Sequence, residues 1–211
     1  MSNFWGPLLL TQLQWHLSRL YETPTEYDIY DFLITDPAIA RAITPQGHCS
    51  NEERLLVSQS EQHLDISVYV NHKTLTQLNY DDPLKDLHEG NLSAFMLALE
   101  SVSHFQYLCW NANYDKSVTL LELELQAEVD KYVMALTLLR TQGTTTDTNT
   151  VHRRLFNNVH FHCDLEDQDR SRYQAANHYA AKYCRNLSDN FPTDQNQPDF
   201  LSELRRFYRL T

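Results

Sequence analysis

Residues 91–110 read NLSAFMLALESVSHFQYLCW and residues 119–140 read TLLELELQAEVDKYVMALTLLR, and these two stretches decide the fold class. The first stretch carries apolar residues at helical spacing, namely Leu92, Phe95, Met96, Leu99 and Val102. Asn91 stands directly before them and is a residue type that favours the N-cap position. The pattern predicts a long helix that ends near Trp110.

The second stretch opens with a capping-box pattern, in which Thr119 is followed three residues later by Glu122. Its first residues also alternate between apolar and polar side chains, which would suit a strand. The helical pattern continues to about Arg140, and this length favours a second helix.

Toward the N-terminus, residues 63–70 (HLDISVYV) contain the clearest strand pattern, with Leu64, Ile66, Val68 and Val70 on one face. The run Arg54–Ser58 is expected to pair with it antiparallel through a polar turn. A lone hairpin is marginal in water, so its apolar face is expected to lie against helices.

Most of the remaining chain shows helical periodicity or helix-boundary signals. Further helices are predicted over residues 8–21, 37–43, 73–78, 83–89, 152–158 and 168–187, and after Pro198. Residues 25–35 (TEYDIYDFLIT) suit either a strand or a helix, and a helix is favoured. The chain is therefore predicted to be α+β and predominantly α-helical, a helical bundle with a small antiparallel two-stranded hairpin. It is expected to form one domain over residues 1–211, with the polar loop 141–150 as its only weak boundary.

The charge of the chain is unevenly distributed. Residues 1–130 hold 6 Lys/Arg against 19 Asp/Glu and residues 131–211 hold 11 against 9, so balances of −13 and +2 give the net −11. This acidity disfavours nucleic-acid binding and favours a basic protein partner. Neither a signal peptide nor a membrane-length apolar run is apparent, which predicts a cytoplasmic protein without membrane contact.

The basic, aromatic stretch Leu204–Arg209 is the exception near the C-terminus. Three arginines are too few for a convincing RNA-binding surface. Docking onto the acidic part of the same chain, or onto a second copy in a homodimer, is at least as well supported.

Four polar residues of the two long helices are candidates for a site. Glu100 and His104 stand four apart on a partly apolar stripe, and Glu124 and Glu128 stand four apart in the next helix. If the helices pack antiparallel, these four side chains could converge as a divalent metal site. Without a metal, Glu100 and His104 are the catalytic candidates, with the carboxylate orienting the imidazole as a general base.

An ordinary structural interpretation competes with this one and is favoured. In it, Glu128 pairs with Lys131, Glu100 accepts a hydrogen bond from His104, and Glu122 and Glu124 are solvated.

A second metal candidate is the His160-x-His162-Cys163 sequence, with Cys184 or His178 completing a zinc site. Paired short spacings exist on one side only, so ordinary histidines are favoured. No G-x-S-x-G, Walker or G-x-G-x-x-G motif occurs. Ser103 and His104 are neighbours on a helix and cannot form a dyad, and Cys109 is expected to be a buried, inert thiol.

Two functions are compatible with these observations. The preferred one is a non-catalytic cytoplasmic interaction or regulatory protein with an acidic N-terminal two-thirds. The alternative is an enzyme or metal-binding protein that uses the Glu/His cluster between the two central helices.

Overall fold

The computed structural model describes residues 8–43, 53–59, 64–144, 147–157, 167–191 and 198–210. The described residues form eight α-helices, three strands and one 3₁₀ turn, Ile29–Phe32. The helices are α1 (Leu9–Tyr21), α2 (Pro37–Ile43), α3 (His72–Tyr80), α4 (Glu89–Ala112), α5 (Leu120–Thr141), α6 (Thr148–Phe156), α7 (Asp167–Asn190) and α8 (Pro198–Tyr208). The strands are β1 (Leu33–Ile34), β2 (Glu53–Gln59) and β3 (Leu64–Val70). The α+β, predominantly helical prediction is confirmed.

The two long helices α4 and α5 form the centre of the fold. Their contacts run in opposite order, with Leu87 just before α4 bonded to Gln142 just after α5, and Ser103 bonded to Asp130 near the middle of both. The helices are therefore antiparallel, as a short connection requires. Helices α1 and α3 pack on α4, and α6 and α7 pack on α5. The largest fully buried side chains of the core are Tyr21, Tyr132, Tyr208, Phe95 and Phe105.

The sheet has three strands in the order β1-β3-β2 within the described residues, so the prediction of a two-stranded hairpin is wrong. Strands β2 and β3 do form the antiparallel hairpin, and β1 adds to it parallel to β3, with Leu33 opposite Val68. Strand β3 carries buried residues on both faces at Val68, Tyr69 and Val70. Its second edge lies in the protein interior, where unpaired backbone groups are costly, and β1 satisfies them.

Where the sequence favours a helix over residues 25–35, the structure has only a single 3₁₀ turn. The Asp28 carboxylate accepts the Tyr30 backbone N–H (2.9 Å) and starts this turn. Leu33 then leaves it in extended conformation, so tertiary pairing with β3 decides a segment that local propensity leaves ambiguous.

The predicted helix over residues 83–89 is also wrong, because the chain there makes turns around Asp82. Helix α4 begins earlier than expected, with His88 as its N-cap. The His88 ring accepts the Gly90 N–H (3.0 Å), and Asn91 accepts the His88 N–H (3.0 Å) while donating to the Asp86 carbonyl (2.7 Å). Asn91 therefore belongs to the first turn of α4 and holds the preceding loop.

Helix α8 docks against the end of α1. Arg205 donates to the Leu20 carbonyl (3.0 Å) and Arg209 to the Tyr21 carbonyl (2.7 Å), which are acceptors that the end of a helix leaves unsatisfied. Tyr208 stacks on Tyr21, with ring centroids 4.2 Å apart. Docking onto the same chain thus accounts for the basic C-terminal stretch. No helix in the described part of the chain combines the length and apolarity needed to cross a membrane.

Candidate metal centre

A cluster of ionisable side chains lies between β2, α4, α5 and α7. Its members are Glu53 on β2, Glu100 and His104 on α4, Glu124, Glu128 and Lys131 on α5, and Arg172 on α7. The i, i+4 spacing of Glu100 and His104 places both on the side of α4 that β2 and α5 cover.

Three potential metal ligands of the cluster lie close to one another. One carboxylate oxygen each of Glu53 and Glu100 and one ring nitrogen of His104 all lie within 4.8 Å of one another. Ligands held about 2.0–2.2 Å from a single ion lie about 3–4 Å apart, so small side-chain movements would bring these atoms onto one ion. We call these three residues the metal triad.

The His104 ring is buried, and its Nε2 has no hydrogen-bond partner among the described residues. Oε2 of Glu124 lies 3.7 Å from this nitrogen, which is beyond hydrogen-bond distance. Burying an imidazole nitrogen without a hydrogen bond destabilises the folded protein. Coordination of a metal ion by this nitrogen would offset that cost.

Lys131 occupies the opposite side of the cluster. Its Nζ lies 2.5 Å from Glu100 Oε2 and 2.8 Å from Glu128 Oε1. The Lys131 side chain is 12% exposed, so this ion pair is largely shielded from water. Glu100 therefore belongs both to the metal triad and to the lysine pair.

Burial and neighbouring charges raise the pKa of two acidic groups of the cluster and lower the pKa of a third. Burial, with repulsion from Glu100, raises the pKa of Glu53 well above its usual range and that of Glu124 to about 8. Burial also opposes ionisation of Glu100, but attraction by Lys131 and then His104 outweighs it, and the pKa of Glu100 is lowered. At neutral pH the Glu100–Lys131 pair is ionised, while Glu124 holds a proton in the metal-free protein.

His104 is also uncharged at neutral pH. Burial lowers its pKa to about 4, Glu100 opposes that shift, and Lys131 and Arg172 reinforce it. A neutral imidazole nitrogen is the form that binds a metal ion.

The structure brings three of the four sequence candidates close together. Glu100 and His104 share the metal triad, and Glu124 lies beside His104. Glu128 lies on the far side of Lys131.

The competing structural interpretation is correct in one contact and differs in two. Glu128 does pair with Lys131, but the close partner of Glu100 is Lys131 rather than His104. Glu124 is only 8% exposed, so it is not a solvated residue. The Glu122 carboxylate accepts a hydrogen bond from the Thr119 backbone N–H in the capping box (2.6 Å).

Glu53 is the site residue that sequence reasoning missed. It pairs with Val70 in the sheet, as Leu55 does with Val68, and side chains of directly paired residues share a face. The signal in the sequence was the two-residue period of a strand. Val57 and Leu55 share one face of β2, and Glu53, two residues before Leu55, lies on the same face. The Ser101 hydroxyl donates to its Oε2 (3.0 Å) and fixes the carboxyl group over α4.

Of the second metal candidate, the structure describes only Cys184 and His178. His160, His162 and Cys163 lie outside the described residues, whereas Cys184 is buried on α7 and His178 is exposed. Ser103 turns away from His104 and donates to Asp130 (2.6 Å). Burial raises the pKa of the Cys109 thiol to about 12, which agrees with an inert role.

Comparison with known proteins adds no assignment to this geometry. No protein-family model, no curated protein and no solved structure matches the chain significantly.

Proposed function

We propose that the protein binds one divalent first-row transition-metal ion through Glu53, Glu100 and His104. The observation that carries this proposal is the buried Nε2 of His104, which lies 3.7 Å from Glu124 Oε2 and lacks a hydrogen-bond partner in the described part of the chain. A structural histidine in such a place would be expected to complete a hydrogen bond.

The donor set indicates the class of ion. One imidazole nitrogen with carboxylate oxygens suits Mn²⁺, Fe²⁺ or Zn²⁺ better than Cu⁺, which prefers sulfur ligands. Three protein ligands would leave at least one coordination position for water or a substrate, as catalytic metal sites do. Glu124, beside His104, is the residue we expect to contact a molecule in that position.

Metal titration tests the proposal. Chelator-treated protein is titrated calorimetrically with Mn²⁺ and Zn²⁺, and we expect saturation near one ion per chain. His104→Leu should weaken binding at least tenfold, because it removes the only nitrogen ligand of the metal triad. His72→Ala is the matched control, since this histidine is exposed on α3 and should leave the affinity unchanged.

Two results would contradict the metal proposal. One is the absence of any saturable binding by wild-type protein below about 100 μM metal. The other is equal affinity of wild-type protein and His104→Leu, once circular dichroism has shown that both are folded.

A second candidate function is recruitment of a basic protein partner, and the exposure of the acidic residues favours it. In the described part of residues 1–130, eight carboxylates are exposed: Glu22, Glu26, Asp31, Asp36, Asp65, Asp86, Glu89 and Asp115. Exposed Lys and Arg residues in the same part number five: Arg19, Arg41, Lys73, Lys85 and Lys116. Such an excess of negative charge attracts a positively charged surface. Location in the cytoplasm stays a prediction from the sequence.

Salt dependence checks this second function. A basic partner should co-purify at about 0.05 M NaCl and dissociate at about 0.5 M, because salt screens interactions between exposed charges. Recovery of the protein alone, as a monomer, at the lower concentration would count against it.

A further inference from the structure

The ion pairs of Lys131 extend the proposed metal function, and the role inferred for Lys131 rests on that function. Lys131 contacts two carboxylates, Glu100 and Glu128, within 3 Å. The side chains of these glutamates are 15% and 22% exposed, so the ammonium group neutralises two largely buried negative charges.

The positions of the charges divide the cluster into two cation-binding halves. One half is the metal triad, where Glu100 meets Glu53 and His104. The other half contains Glu100 and Glu128, which both contact the Lys131 ammonium. Glu100 is common to both halves, which is the role of a carboxylate that bridges two cations.

The ammonium group resembles a bound metal ion in the sign of its charge and in its carboxylate surroundings. Of its oxygen contacts, the one of 2.5 Å lies within the roughly 2.0–2.6 Å found between ions and oxygen ligands, and the one of 2.8 Å is slightly longer. Glutamates from facing helices of a bundle are a common source of ligands for paired metal ions. The second half therefore has carboxylate ligands suitable for a divalent ion, and the Lys131 ammonium group contacts both of them.

We infer that Lys131 is a specificity-determining residue that fills a second cation position, limiting the centre to one metal ion. Removal of the ammonium group would open this half to a second divalent ion, held by Glu100 and Glu128. Retention of a positive charge at residue 131 would keep the centre mononuclear.

Counting bound Mn²⁺ in three variants tests this inference. Full-length protein is loaded with Mn²⁺, desalted, and analysed for manganese per chain. We expect one ion in wild-type protein, one in Lys131→Arg and two in Lys131→Ser. Electron paramagnetic resonance gives an independent readout, because two neighbouring Mn²⁺ ions in Lys131→Ser should replace the isolated-ion spectrum with an exchange-coupled one.

Lys131→Gln serves where Lys131→Ser does not fold, since its amide still donates to the carboxylates. It too should bind a second ion, at lower affinity. One ion in wild-type protein and one in both neutral variants would overturn the inference and leave the metal proposal intact. No ion in wild-type protein would overturn the metal proposal itself, so the two failures are distinguishable.

Discussion

Replacement of Lys131 by methionine should lower the free energy of unfolding of the metal-free protein by about 3–5 kcal/mol at pH 7. The substitution keeps the length and apolar stem of the side chain but removes the ammonium group. Glu100 and Glu128 then lose a cation at 2.5 and 2.8 Å in a largely water-shielded place. Urea denaturation followed by circular dichroism measures the change.

Lys85→Met is the matched control for that substitution. Lys85 pairs with Asp82 at the same i, i+3 spacing and a similar distance (3.0 Å), but its side chain is 83% exposed. An exposed pair contributes at most about 1 kcal/mol, so this variant should change stability little. Adding Glu100→Gln to Lys131→Met should recover part of the loss, because it removes one of the unpaired charges. A loss below about 1 kcal/mol in Lys131→Met would contradict the assignment of a buried pair.

The fold elements that the sequence predicted well are those whose boundary signals are local. The Thr119–Glu122 capping box starts α5 where expected, and Asn71 caps α3 by accepting the Lys73 N–H (3.0 Å). Strand β3 has its predicted bounds because its alternation is complete over Leu64–Val70. In each case the signal lies within the element itself, and in the two helix caps the stabilising contacts are also local.

The elements predicted wrongly depend on distant residues. Leu33 lies in a strand because it pairs with Val68, and no pattern within residues 25–35 specifies this partner. The stretch before α4 is held by Gln142 at the end of α5, which accepts the Leu87 N–H and donates to the Pro83 carbonyl. Asn91 there bonds to the Asp86 carbonyl instead of capping the helix. Local propensity is weak enough for such tertiary contacts to override it.

The residues of the candidate site also fall into those that local spacing predicts and those that depend on tertiary packing. Glu100 and His104 could be found because four-residue spacing on one helix places them together. The pairing of Glu128 with Lys131 was also visible as an i, i+3 contact. The approach of Lys131 to Glu100, and of Glu53 to both α4 residues, depends on how α5 and β2 pack on α4. That packing is set by the whole core rather than by the spacing of the site residues.

A second buried acid supports the centre of the bundle without belonging to the metal triad. Asp130 is 1% exposed, and its carboxylate accepts hydrogen bonds from Ser103 (2.6 Å), Gln126 (2.8 Å) and the Tyr21 hydroxyl. The network joins α1, α4 and α5. Burial raises the pKa of Asp130 from 3.8 to about 6, although the three hydrogen bonds act in the opposite direction.

This shift makes stability depend on pH in a defined direction. The folded protein binds the Asp130 proton more tightly than the unfolded chain, so stability should rise as the pH falls from about 6 toward 3.8. The full difference is about 3 kcal/mol, of which about 2 kcal/mol should appear between about pH 7 and pH 4.5. Above about pH 7 the Asp130 carboxyl is ionised in both states and adds no further pH dependence.

Asp130→Asn isolates this effect, because the amide has the shape of the carboxyl group and does not titrate. We expect the stability difference, wild type minus variant, to increase by about 2 kcal/mol from pH 7 to pH 4.5. Glu53, Glu124 and His104 also titrate, but they do so in both proteins and therefore cancel in the difference. Urea denaturation of both proteins at a series of pH values measures it. A difference that stays constant with pH would show that Asp130 ionises in the folded protein as it does in the unfolded chain.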